Sequence, residues 1–124
     1  MKHFNLMAQV AFLSLLVSCA SVTPGNDPVV VNAERVTAAA AETFDGLFRT
    51  EAANHAIIKA RAPQVAAGVN KLRAVAPEAL ESARAVTMAY KHNRSDENKA
   101  NLATAIAVLQ SLLDQAREYL TEVQ

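Results

Sequence analysis

The strongest constraint on this chain is the spacing of its apolar residues. Val65, Val69, Leu72, Ala76, Ala79, Ala83, Val86 and Tyr90 recur in steps of four and three. That spacing lines one face of an α-helix, whereas a strand would need alternation in steps of two. Phase is kept across Pro77. A proline in a helix interior costs ~3 kcal/mol and usually bends it, yet a loop there would have no reason to preserve the register. The favoured expectation is one helix from about Pro63 to His92, kinked near Pro77. The alternative is two shorter helices, with Pro63 and Pro77 each at a first helical position.

The C-terminal stretch repeats the pattern. Leu102, Leu109, Ala116 and Val123 fall seven apart, with Ala105, Leu112 and Tyr119 in one adjoining row and Ile106, Leu113 and Leu120 in another. Lys99, Thr104, Ser111, Gln115, Glu118 and Glu122 occupy the opposite face, as on a surface helix packed on one side. Ser95-Asp96-Glu97 offers a hydroxyl cap and two carboxylates suited to a helix N-terminus. A helix from about Asp96 to Val123 would be ~42 Å long. Lys91 to Ser95 then forms a short connection of the length that joins antiparallel neighbours.

The first helix is expected to start after Asp27-Pro28 or after Asn32 and to carry Val36, Ala40, Phe44, Leu47 and Phe48 on one side. Its apolar face fails at Glu51 and returns at Ile57 and Ile58 before Pro63, so a break or loop is expected between Thr50 and Ala62. The fold class is all-α: two to three amphipathic helices in an up-down-up antiparallel bundle. Alanine supplies 26 of the 124 residues and aromatics only 5%. Such positions let helices approach closely but bury little area, and at ~25 cal/mol per Å2 the core is thin. A second copy or an envelope protein partner would add burial, and the seven-residue spacing also fits coiled-coil pairing. Equally, the leucines and phenylalanines alone suffice for a monomer.

Composition removes other classes. The 52% hydrophobic share exceeds that of a disordered tail, and one cysteine cannot build a disulfide scaffold. Twelve basic residues against twelve acidic ones leave no basic excess for nucleic-acid binding.

The N-terminus has its own signature. Lys2 precedes an uncharged run from Leu6 to Val17, which is shorter than the ~20 residues that span a bilayer. It is the pattern of a cleaved signal peptide. Leu16-Val17-Ser18-Cys19 resembles the lipobox of bacterial lipoproteins, and Cys19 is the sole cysteine. The resemblance implies that the Cys19 thiol is alkylated with diacylglycerol, that cleavage falls just before it, and that the new amino group is acylated, as with palmitate. Two or three acyl chains give a stable membrane anchor where one does not. The expected organisation is a signal peptide over 1–18, a lipidated Cys19 and turn-rich tether over 19–28, and a helical bundle domain over 29–124. Ala20, where inner-membrane lipoproteins often carry aspartate, implies the outer membrane, facing the periplasm. The tether from Ala20 to Pro28 would reach at most ~30 Å.

The mature layout is also similar to small helical lipoproteins of bacteria and their phages or prophages, with an Ala83-Arg84 step and an end near Tyr119-Leu120. This implies a structural or protein-interaction role at the cell envelope. A phage-derived lipoprotein that assists lysis or envelope modification through a partner is the alternative. Catalysis needs converging polar groups, and in the mature chain only His55 and His92 are neutral-pH bases, with no neighbours evident in the sequence. Glu78 and Glu81 lie three apart on a helix with Arg84 placed for a surface ion pair. No catalytic, cofactor or metal residue is therefore expected. Cys19 is the one predicted site, as a point of lipidation.

Overall fold

A computed structural model describes residues 27–124 of the chain. The expected signal peptide, Cys19 and residues 20–26 of the expected tether lie outside the described residues. Three helices make up the fold: α1 (Pro28–Arg61), α2 (Pro63–His92) and α3 (Asp96–Val123). Each packs against both of the others, which closes an all-α, up-down-up bundle.

The ends of the helices follow from their capping residues. The Asp27 carboxylate accepts a hydrogen bond from the Val29 amide at 2.9 Å, and Pro28 takes the first helical position, where its missing N–H costs nothing. The earlier of the two expected starts is therefore the real one. Pro28, expected as the last residue of the tether, is thus the first residue of α1, and Asp27, its cap, is 7% exposed. At α3, Ser95 Oγ accepts from the Asn98 amide at 3.1 Å, with Asp96 and Glu97 in the first turn.

α2 runs unbroken through Pro77, so the alternative of two shorter helices does not occur. The reversal between α1 and α2 takes one residue, Ala62, at φ −142° and ψ 65°. Its amide donates to Ile58 O at 2.7 Å and its carbonyl accepts from Val65 at 2.9 Å. No loop of several residues lies between Thr50 and Ala62. The break expected there is a kink, with Asn54 at φ −120° and ψ 17°, after which the helix continues to Arg61.

The core runs along the common axis. Leu47, Leu72, Leu102 and Leu109 are among its largest fully buried side chains, and Ala33, Ala40, Ala76, Ala83 and Ala116 fill the closer approaches. Phe44 and Phe48 stack one helical turn apart, with centroids 6.2 Å apart and planes at 14°. Thr37 and Thr87 are also buried, their hydroxyls donating to Ala33 O at 2.7 Å and Ala83 O at 2.6 Å. On α3, Leu102, Ile106, Leu109, Leu113 and Ala116 are all buried within this one chain. The seven-residue seam is thus occupied by internal packing.

Gly68 shows how close that packing is. A Cβ at this position would lie 2.3 Å from Tyr119 Oη and 2.5 Å from its Cζ, so the tyrosine ring occupies the space a side chain would need. Gly68→Ala should lose stability in the wild-type background. In a Tyr119→Ala background it should gain about 1 kcal/mol, the helix-propensity advantage of alanine over glycine. Urea denaturation of the four proteins checks this, and the same sign in both backgrounds would show that the ring does not set the cost.

Candidate functional site

The apolar stripe of α1 passes through Phe44 and Leu47, and the next position on that face is Glu51. Its side chain is 1% exposed. A carboxylate so placed keeps its charge only when partners replace the water it has lost. Two do so, one on each oxygen. His55, one turn further along α1, holds Oε1 at 2.5 Å, and Arg73 of α2 holds Oε2 at 2.8 Å. The carboxylate can only accept, so His55 Nδ1 carries the proton of that contact.

Arg73 is fixed on several sides. Its Nη1 donates to Asn70 Oδ1 at 3.2 Å, its Nη2 also reaches Phe48 O at 3.4 Å, and its Cζ lies 5.1 Å from the centroid of the Phe48 ring. Glu51 and Arg73 each stand eleven residues from Ala62, on opposite sides of it. Glu34 and Lys91, which also pair between α1 and α2, are placed almost symmetrically as well. The one-residue reversal therefore sets the register that brings these charges together.

The same group meets the kink. Asn54 leaves helical geometry, and its side-chain amide donates to Thr50 O at 3.0 Å. His55 follows directly, so its contact with Glu51 bridges the kink. The hydrogen bond from His55 is the largest influence holding the Glu51 carboxyl below its ordinary value, followed by that from Arg73, and together they outweigh the opposing effect of burial. The group forms the floor of a shallow depression also lined by Phe48, Arg49 and Ala52. Solvent above it screens these charges. No hydroxyl or thiol lines the depression, so the arrangement supplies a tie between helices without a nucleophile beside the histidine.

The residues singled out in the sequence are distributed as follows. Cys19 lies outside the described residues. His55 is half exposed but not without company, since Glu51 holds it. His92 is exposed at the end of α2. Glu78 lines a groove between α2 and α3, whereas Arg84 lines one between α1 and α2, so the fold does not bring those two together. Among the described residues there is no cluster of three or more potential metal ligands, and no helix is long and apolar enough to cross a membrane.

Sequence reasoning missed the pairing of Glu51 with Arg73. The signal for it was present, because an acidic residue where the stripe requires an apolar one is either a break or a buried charge. Comparison with known protein families, curated proteins and solved structures finds no match to this chain.

The sign of the pH dependence follows from the lowered Glu51 value. The ionised carboxylate contributes stability above the ordinary carboxylate range of about 4.3, and that contribution is lost as pH falls through the lower folded value. The melting temperature of the wild type should therefore fall more steeply below about pH 4 than that of Glu51→Gln. Arg73→Met should cost about 1–3 kcal/mol at neutral pH, discounted for the solvent over the arginine. Parallel melting curves against pH for wild type and Glu51→Gln would remove Glu51 from the acid response.

Proposed function

We propose that this protein is a lipoprotein anchored through Cys19 in the outer membrane, facing the periplasm, where it holds a helical bundle beside the membrane in a structural or protein-interaction role. It performs no chemistry of its own and binds no nucleic acid. The observation that supports this reading most directly is the placement of Asp27. The cap of the first helix stands only eight residues after the lipobox cysteine, with turn-forming residues between them.

Such an anchor gives the bundle a direction. Asp27 stands beside the turn between α2 and α3, where Tyr90 Oη donates to its Oδ2 at 3.3 Å and Arg94 pairs with the same oxygen at 3.6 Å. That end faces the bilayer. α1, with 34 residues, carries the opposite end ~50 Å away at 1.5 Å per residue. Partners would then meet the bundle flanks, where Val75 and Val108 are exposed beside the groove between α2 and α3. A second copy or an envelope protein are the two kinds of partner this surface suits.

Mass spectrometry of the membrane fraction should find a mature N-terminus at Cys19 carrying diacylglycerol and an amide-linked acyl chain. Cys19→Ala should move the protein out of that fraction. An unmodified cysteine, or a chain retaining Met1, would overturn the anchor. Crosslinking in the intact envelope, comparing wild type with Cys19→Ala, should give partner bands that depend on the anchor.

A further inference from the structure

The segment of α1 beyond Glu51 is weakly held. Among residues 52–61 only Ile58 is buried, while Ile57 is 56% exposed. Apolar contact therefore contributes little to keeping this end of α1 in place, and the main polar ties are those at Glu51. The segment also begins at a ready-made hinge, since Asn54 has already left helical geometry and bonds Thr50 O through its side chain.

We propose that Glu51 is a proton-released latch: while ionised it ties α1 to α2 and bridges the hinge at Asn54, and its protonation frees residues 54–61 to open. The chemistry is a matter of donors and acceptors. An ionised carboxylate accepts from both sides at once, from His55 Nδ1 on one oxygen and Arg73 Nη2 on the other. A proton bound to either oxygen turns that oxygen towards a donor with a donor of its own, so one contact is lost. The remaining contact is to a neutral group and is weaker.

The surrounding charges do not replace the lost tie. On α1, Arg49 is exposed and paired with Asp45 at 3.1 Å. On α2 the facing charge is Arg73 itself. From α3, no charged residue lines the depression around Glu51. Asp114 and Arg117 are exposed and lie 3.5 Å apart. The latch sits under a depression open to solvent, so protons reach it without prior unfolding.

Amide hydrogen exchange on the full chain, corrected for the intrinsic rate at each pH, tests the proposal. Between about pH 6 and pH 3, residues 55–61 should lose roughly tenfold or more in protection, while residues 36–47 of the same helix retain theirs. Glu51→Gln should show the low protection at both pH values. Should that variant fail to fold, Arg73→Met removes the tie to α2 while leaving Glu51 in place, and residues 55–61 should then be less protected than in the wild type at neutral pH. Exchange of 55–61 in step with 36–47 at every pH would overturn the latch, as would a wild-type acid response in Glu51→Gln or wild-type protection of 55–61 in Arg73→Met at neutral pH.

Discussion

The bundle depends on how closely its helices approach one another. Alanines at Ala33, Ala40, Ala76, Ala83 and Ala116 let the backbones come together with little side-chain area between them, so the apolar contribution is concentrated on a few large residues. Leu47, Leu72, Leu102 and Leu109 carry that role, and all four are fully buried. Close approach also raises the stakes for anything polar in the seams, because no space remains for water to relax around a misplaced group. The two buried threonines meet that demand by turning their hydroxyls back onto their own helices. Among the described residues no buried side-chain nitrogen or oxygen is left without a partner.

Glu51 is the severest case of the same constraint. A carboxylate on the core-facing side of α1 requires hydrogen-bond donors that the apolar stripe cannot offer, and they come from outside it: a histidine further along the same helix and an arginine that lies across a phenylalanine ring. The tie joins α1 to α2 at a level where α1 changes direction. Geometry and charge therefore share one location, and a change in ionisation there acts on the backbone as well as on the side chains.

Much of this was legible in the residues. The α2 pattern read through Pro77 as one helix, because apolar periodicity senses phase and phase survived the proline. α3 was predicted with its bounds, since Ser95, Asp96 and Glu97 mark its start so plainly. α1 was harder. Its periodicity assumes that inward positions are apolar, so a buried glutamate reads as the end of the pattern when it is a continuation under different rules. Its counter-charge is distant in sequence, and the position of Arg73 becomes meaningful only once the reversal at Ala62 is known. The role of Asn54 was hidden for a related reason: a local bend that keeps the helix going leaves the same trace in the sequence as a loop.

The reversal at Ala62 has a further consequence for how this chain can change. With only one residue between Arg61 and Pro63 there is no slack in the connection. Each residue of an α-helix turns the chain by about 100°. A single insertion or deletion between Glu51 and Arg73 would rotate one helix against the other and carry one partner of the charge pair away from the seam. Length variation is therefore tolerated best at the opposite end, where Asn93, Arg94 and Ser95 separate α2 from α3. Related sequences should vary in length at that turn and keep the distance across Ala62 constant, which gives the hairpin of α1 and α2 the character of a fixed ruler.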